Sequence, residues 1–146
     1  VLCHAVLEWV EQPQVLLHQL AALLKPAGLL SLTFYNRHGL VFKNLLRTNY
    51  RKILQEDFAG SKGSLTPTWP RDPAEVLQWV TAEGFSLLCH SGMRVFHDYI
   101  LDNARRDRDP ETVLALELQL SRQSPYRDLG RYQHLVLQKP WLPNGK

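Results

Sequence analysis

The chain has 146 residues, of which 45% are hydrophobic and 21% are charged, and its formal net charge is +3 at pH 7. This length suits one domain with its own core, and this composition is that of a globular protein rather than a disordered one. No apolar run reaches the roughly 18 residues that a membrane-spanning helix needs, and two cysteines are too few for a disulfide framework. We therefore predict a reduced, cytoplasmic setting.

The first part of the chain alternates strand and helix. The opening residues VLCH have the apolar character of a buried strand. A helix is predicted over EQPQVLLHQLAALLKPAG, because Pro13 suits a first helical turn, leucines recur at helical spacing and Gly28 ends the pattern. The run LLSLTFY predicts a second strand. Two strands joined through one helix lie parallel in a sheet, so we predict an α/β fold.

The segment 36–71 interrupts this alternation and is a basic insert. It holds seven basic and two acidic side chains, whereas residues 72–104 hold one basic and five acidic side chains. An amphipathic helix is predicted over HGLVFKNLLRTNYRKIL, and a loop over AGSKGSLTP. The predicted inward face of this helix consists of Leu45, Leu46, Ile53 and Leu54. The charge indicates an anionic partner such as phosphate or RNA, with a solvated helix face as the alternative interpretation.

The rest of the chain again alternates helix and strand. Asp72 before Pro73 predicts the start of a helix, and Gly84 predicts its end. The run FSLLCH predicts a strand, a helix is expected near residues 99–107, and a further helix is expected from Asp109 onward. The run YQHLVLQKP predicts the last strand.

The sequence carries no motif of metal binding, covalent hydrolysis or phosphate binding. Its six His residues are scattered, neither Cys belongs to a CxxC pair, and no GxSxG, Walker loop or GxGxxG is present. We therefore predict no bound metal. No repeat and no linker divides the chain, so residues 1–146 are predicted to form a single domain with Trp9 and Trp79 in its core.

The order of elements carries a family resemblance. An apolar strand ending in His4 is followed by a helix closed by LKPAG and by the strand LLSLTFYN. This order resembles class I S-adenosylmethionine-dependent methyltransferases from their fourth strand onward, where LKPGG-x-L typically joins the fourth helix to the fifth strand. Ala27 replaces one Gly here. The segments CHAVLEWV, LSLTFYNRHGL, PRDPAEVLQWV, MRVFHDYI and LGRYQH extend the resemblance over essentially the whole chain, to members that modify a wobble uridine of tRNA.

The resemblance implies a fold and a partial domain. The fold would be the C-terminal half of a Rossmann-like class I methyltransferase, a mostly parallel sheet flanked by helices, with residues 36–71 as a basic helical insert for substrate recognition. The glycine-rich loop and the ribose-binding acid of the family have no counterpart here. Their absence implies that the N-terminal half of the domain would precede Val1, and that this chain alone would be inactive.

The resemblance also implies an activity, the transfer of a methyl group from S-adenosylmethionine to the carboxylate of 5-carboxymethoxyuridine, with the tRNA anticodon loop as partner. A carboxylate with a pKa of about 4 is already ionised at pH 7, so no catalytic acid or base is expected. An arginine fork suits the task of holding this anion. Arg94 is the first candidate and Arg131 the second, with a structural salt bridge to Asp98 or Asp128, respectively, as the alternative.

Further site candidates come from strand ends, because ligands of open α/β sheets lie beyond the carboxyl ends of the strands. The resemblance implies that His4 lies against the cofactor, with Ala5 beside it, and a His that is merely hydrogen-bonded is the alternative. Tyr35 and Asn36 leave the next strand toward the same edge and are substrate-binding candidates, although the ring of Tyr35 could instead cover the core. The last two substrate-binding candidates, which could instead cap elements, are His97 and Tyr132.

RNA binding is expected from the insert, since lysine and arginine contact phosphates and unpaired bases stack on aromatic rings such as that of Tyr50. The RNA-binding candidates are His38, Lys43, Arg47, Arg51, Lys52 and Arg71. Two other functions remain open. One is a methyltransferase of a small carboxylic acid, and the other is a non-catalytic half-domain that binds RNA or a partner chain.

Overall fold

The computed structural model describes residues 1–58 and 63–141 of the chain. Part of the predicted loop AGSKGSLTP, residues 59–62, lies outside the described residues. The strands are β1 (Leu2–His4), β2 (Leu29–Tyr35), β3 (Ser86–Met93) and β4 (Tyr132–Gln138). The helices are α1 (Pro13–Leu23), α2 (Arg37–Leu46), α3 (Tyr50–Leu54), α4 (Pro73–Ala82), α5 (Asn103–Arg106) and α6 (Pro110–Leu120). Short 3₁₀ turns cover Leu7–Trp9, His97–Tyr99 and Arg127–Leu129.

The four strands form one sheet with the order β1-β2-β4-β3. β1 and β2 pair in parallel, with Cys3 opposite Leu32, which confirms the prediction from the strand–helix–strand pattern. β4 pairs antiparallel with both β2 and β3. Three strands therefore run in one direction, and β4 is inserted between two of them in the opposite direction. The position of β4 was not predicted from the sequence pattern.

The core lies on one face of the sheet, under α1 and α4. Alternate residues of a strand point to the same face, and Leu30, Leu32 and Phe34 of β2 are fully buried there with Leu135 and Leu137 of β4. The buried residues of the covering helices include Leu17, Ala21, Val76 and Val80. Burial of each large apolar side chain stabilises the fold by about 1.5–3 kcal/mol, so this layer contributes much of the stability of the sheet.

The two tryptophans predicted in the core differ in position. Trp79 of α4 packs against the core, as predicted. Trp9 is 46% exposed, so its predicted core position is wrong. It ends a 3₁₀ turn whose buried residues are Leu7 and Glu8, and this turn directs the indole away from the core.

The predicted ends of α4 are confirmed. The Asp72 carboxylate accepts the backbone N–H of Ala74 at 2.8 Å, and Gly84 follows the helix with a left-handed φ of 83°. The helix expected near residues 99–107 is shorter, because Tyr99 ends the 3₁₀ turn His97–Tyr99 and only α5 is α-helical. Across the part of the chain that the structure describes, no helix combines the length and hydropathy needed to cross a membrane.

The basic insert contains two helices instead of the single helix predicted. The chain turns at Thr48, which has a left-handed φ of 58°, and Asn49 bonds back to α2 through its Nδ2 and the Oδ1 of Asn44 at 3.0 Å. The buried residues of α2 are Gly39, Leu40 and Asn44. The prediction of an inward face is wrong for three exposed residues, Leu45, Leu46 and Leu54.

Candidate active site at the carboxyl end of β2

Asn36, the N-cap of α2, organises the carboxyl end of β2. Its side chain is fully buried, and its Nδ2 donates to the carbonyl oxygens of Asp128 at 2.8 Å and Gly130 at 2.7 Å. Its Oδ1 accepts the backbone N–H of His38 at 3.0 Å. These bonds join β2, α2 and the turn before β4. The predicted substrate-binding role of Asn36 conflicts with this arrangement, because both amide hydrogens are used inside the protein.

Tyr35, the last residue of β2, lies in a stack with two residues that precede or begin β4. Its ring meets the ring of Tyr132 edge-on, with centroids 5.2 Å apart. The guanidinium of Arg131 lies 5.7 Å from the ring centroid of Tyr35 and 5.9 Å from that of Tyr132. Burial raises the pKa of the Tyr35 phenol, although the positive charge of Arg131 acts in the opposite direction. The structure thus brings together three residues that the sequence predicts for one site.

Asp98 pairs with two arginines at this edge. Its Oδ2 lies 3.3 Å from Nη1 of Arg131, and its Oδ1 pairs with Nη2 of Arg94. Nδ1 of His97 lies 3.7 Å from the same Oδ1. Asp98 is 8% exposed, whereas the Arg94 side chain is 52% exposed. The salt bridge left open for Arg94 is therefore present, and Arg131 pairs with Asp98 rather than with Asp128.

A polar cavity of about 290 Å³, the basic cavity, opens between this stack and the insert. Tyr35 and Arg131 line it together with the cations Lys43, Arg47 and Lys52. None of the described lining residues is acidic. Burial and the nearby positive charges of Arg47 and Arg131 lower the pKa of Lys43. Positive charge confined in this way favours the binding of an anion.

Several predicted residues lie outside the basic cavity. Arg94 and His97 line a separate, largely apolar groove of about 650 Å³ beside β3 and α6. Arg51 is exposed on α3 and does not line the basic cavity. Nε2 of His38 lies 3.5 Å from Oδ1 of Asp72 at the start of α4. These four residues therefore do not line the cavity that Arg131 lines.

Arg71 is bonded to the backbone of a neighbouring turn, and its role in RNA binding stays a prediction. Its Nε donates to the carbonyl oxygen of Leu7 at 3.0 Å, and its Nη2 donates to that of Val10. The guanidinium also lies 5.9 Å from the ring centroid of Trp79, and burial lowers the pKa of Arg71. These two bonds use the Nε–Nη2 side of the guanidinium, so Arg71 fastens the end of the insert to the turn after β1.

His4 is the last residue of β1 and Ala5 follows it, so both lie at the carboxyl end of that strand. Nε2 of His4 and Nε2 of His134 each lie 2.8 Å from Oγ of Ser31. Ala5 has a left-handed φ of 54°, and its N–H donates to Oγ1 of Thr33 at 3.1 Å. His4 and Ala5 are exposed. The hydrogen-bonded His that was left open is thus present, and its role against a cofactor stays a prediction.

Sequence reasoning missed two residues that shape the site without being cations, Glu117 and Asn44. Glu117 of α6 accepts the backbone N–H groups of Val95, Phe96 and His97 at 2.7, 3.1 and 2.9 Å. It thereby holds the turn that carries Asp98. No local motif marks Glu117. Asn44 could have been found from the sequence, because it is a polar residue within an otherwise apolar helix face. The described residues contain no cluster of three or more His, Cys, Asp or Glu that could hold a metal ion.

The sheet order, the helices on its core face and the ligand space at its carboxyl edge define the C-terminal half of a class I methyltransferase fold. No protein-family model matches the chain. The solved structure of PKMT2 from Rickettsia typhi has a TM-score of 0.53 and 13% identity over 97% of this chain and 36% of that one, which supports the fold alone.

The resemblance stated from the sequence is confirmed by two curated proteins. The chain is 41% identical over 140 residues to the tRNA 5-carboxymethoxyuridine methyltransferase of Escherichia coli strain K12, over 96% of this chain and 54% of that protein. The protein of the same name from Escherichia coli O157:H7 matches with the same identity and coverage. The chain thus spans about half the length of the curated relatives it matches.

Proposed function

We propose that this chain forms part of an S-adenosylmethionine-dependent enzyme that methylates the carboxylate of 5-carboxymethoxyuridine at the wobble position of tRNA in the cytoplasm. The observation that carries the proposal is the basic cavity beside Tyr35. It lies at the edge of the sheet where ligands of open α/β folds bind. The names of the 41% identical relatives specify which carboxylate is expected there.

The cavity suits a substrate that is anionic before it reacts. The carboxylate is ionised at pH 7, since ordinary carboxyl pKa values are about 4, and the residues of this chain need only hold it in place. Arg131 supplies positive charge beside the Tyr35 ring, and Lys43 adds a second cation to the lining of the same cavity. S-adenosylmethionine supplies the methyl group when it is bound. The exposed His4 and Ala5 at the end of β1 fit one side of such a ligand, because they lie on the same edge as Tyr35.

The insert suits the polynucleotide part of the substrate. Arg47 and Lys52 line the cavity, Arg51 lies on the exposed side of α3, and the ring of Tyr50 is exposed beside them. Cations that continue from a cavity onto the surface can contact phosphates, and an exposed ring can stack on an unpaired base. A methyltransferase of a small carboxylic acid has no use for this outer charge, so the insert favours RNA over that alternative.

The test is a methyl-transfer assay on the full-length product of the gene that encodes this chain. The protein is incubated with S-adenosylmethionine and tRNA that carries 5-carboxymethoxyuridine, and the digested nucleosides are examined by mass spectrometry. A methyl ester on the wobble nucleoside supports the proposal. Transfer to small carboxylic acids but not to tRNA contradicts it and favours the small-acid methyltransferase. Tight tRNA binding with no transfer to either substrate also contradicts it and favours the non-catalytic half-domain.

A further inference from the structure

We infer that Asp98 is a positioning residue that holds the guanidinium of Arg131 in the orientation in which it receives the substrate carboxylate. The inference rests on the proposed function and assigns a role to a residue that the sequence marks only as a salt-bridge partner of Arg94. Asp98 itself does not line the basic cavity. It acts through Arg131, which does.

The first argument is the way in which the guanidinium is held. Asp98 is buried, and its Oδ2 pairs with Nη1 of Arg131 at 3.3 Å. Two aromatic rings, those of Tyr35 and Tyr132, lie 5.7 and 5.9 Å from the guanidinium carbon. A planar cation in contact with two rings and one carboxylate has little rotational freedom. Its remaining donors are therefore presented in a defined direction.

The second argument is the donor that remains. Nε of Arg131 is buried and has no hydrogen-bond partner among the residues that the structure describes. A buried N–H without a partner is rare in proteins and calls for an acceptor. Pairing through Nη1 leaves the Nε side of the guanidinium, one of the sides that receives a carboxylate in a two-bond fork. A carboxylate in the basic cavity would supply the acceptor that Nε lacks.

The third argument is that Asp98 is held from behind. Oε1 of Glu117 accepts the N–H groups of Phe96 and His97, the two residues before Asp98. The other oxygen of Asp98 pairs with Arg94. These contacts fix the turn that carries Asp98, so the carboxylate is prearranged before any ligand binds. A group that only balanced the charge of Arg131 would not need this support.

The activity test uses the substitution Asp98→Asn in the full-length protein. The amide keeps the size of the side chain and removes the charge that orients Arg131. We expect kcat to fall by about 10²-fold, the loss typical of a misplaced positioning contact. The dissociation constant for tRNA with an unmodified wobble uridine should not change, because that tRNA has no carboxylate for Arg131 to receive. An unchanged kcat overturns the inference.

Asp128→Asn is the matched control. Asp128 pairs with Arg127 at 2.9 Å, close in the fold, but its side chain does not line the basic cavity. If the loss in Asp98→Asn came only from a missing ion pair, the control would show a similar loss in kcat, and that result would overturn the inference. We expect the control to lose thermal stability without losing kcat.

A spectroscopic measurement on the wild type keeps the inference testable even where Asp98→Asn does not fold. In ¹⁵N-labelled protein, the Nε–H resonance of Arg131, assigned with Arg131→Lys, is followed as the nucleoside 5-carboxymethoxyuridine is added. We expect this resonance to shift, and plain uridine to leave it in place. No shift with the carboxylate probe overturns the inference. A shift in a protein that methylates no tRNA would contradict the proposed function and still support the positioning of Arg131.

Discussion

Nη1 of Arg131 lies 3.3 Å from Oδ2 of Asp98, although the two residues are 33 positions apart in the chain. This contact, and not the one between Arg131 and Asp128 considered from the sequence, sets the direction of the guanidinium at the edge of the sheet. Arg94 pairs with the other oxygen of the same carboxylate and lines a different groove. The two arginines that the sequence predicts for one task therefore have different surroundings.

Substitution of each arginine should separate their roles. We expect Arg131→Ala to reduce kcat/KM for methyl transfer by about 100-fold or more, the equivalent of two hydrogen bonds to a charged group. Arg94→Ala should have a smaller effect, because Arg94 is half exposed and lies outside the basic cavity. Steady-state kinetics on tRNA would measure both. A larger loss in Arg94→Ala would return the carboxylate-binding role to Arg94.

Removal of the cavity cations should weaken tRNA binding and its dependence on salt. The variant Lys43→Gln, Arg47→Gln, Lys52→Gln loses three positive charges that line one cavity. Each phosphate contact contributes a slope of about −0.7 to the dependence of log K on log salt for single-stranded nucleic acid, so three lost contacts should make the slope shallower by about 2. Filter binding over a range of salt concentrations would measure the change.

The matched control removes three arginines elsewhere on the surface. Arg105→Gln, Arg108→Gln, Arg122→Gln makes the same change in net charge on residues of the α5–α6 region that do not line the basic cavity. We expect a smaller change in the salt slope. Equal slopes in the two variants would mean that net charge, and not the basic cavity, governs the affinity for tRNA.

The strand–helix–strand pattern and the capping residues predicted the parallel pair β1–β2 and the ends of α4, because these features depend on residues close in sequence. The insertion of β4 between β2 and β3 depends on contacts between distant segments and was not predicted. The site follows the same division. Tyr35 was predicted from its place at a strand end, whereas the burial of Asn36 and the bonds of Arg71 arise from partners that no local pattern specifies.

The pH dependence of anion binding should reflect Lys43. Burial first, and then the neighbouring charges of Arg47 and Arg131, lower its pKa below the ordinary 10.5. Lys43 therefore loses its proton at a lower pH than an exposed lysine, and the cavity loses positive charge with it. We expect the affinity for tRNA to fall as the pH rises toward 10.5, and Lys43→Gln to reduce this dependence. Identical pH profiles for the variant and the wild type would contradict the prediction.

Glu8 should make the stability of the fold depend on pH in the acid range. Its side chain is 1% exposed, and its Oε2 has no hydrogen-bond partner within the described residues. Burial raises its pKa above the ordinary 4.5, although two backbone hydrogen bonds and Arg71 oppose the change. The folded state therefore takes up this proton at a higher pH than the unfolded state, so lowering the pH through this range stabilises the fold. We expect the free energy of unfolding of the wild type to rise relative to Glu8→Gln as the pH falls toward 4.5. Denaturant titrations at several pH values would measure it, and a constant difference would contradict the prediction.

Gly39 lies where α2 comes close to the turn before β4. A Cβ at this position would lie 2.9 Å from the carbonyl oxygen of Gly130 and 3.1 Å from that of Leu129. Helix propensity alone predicts that Gly39→Ala stabilises α2 by about 1 kcal/mol. Packing predicts the opposite, a loss of about 1–3 kcal/mol, because backbone carbonyls cannot move aside as a flexible side chain can. We expect packing to dominate, and α2 to shift together with the cavity cation Lys43. Thermal unfolding and tRNA affinity should therefore both decrease in Gly39→Ala, and a variant more stable than the wild type would show that this approach is not tight.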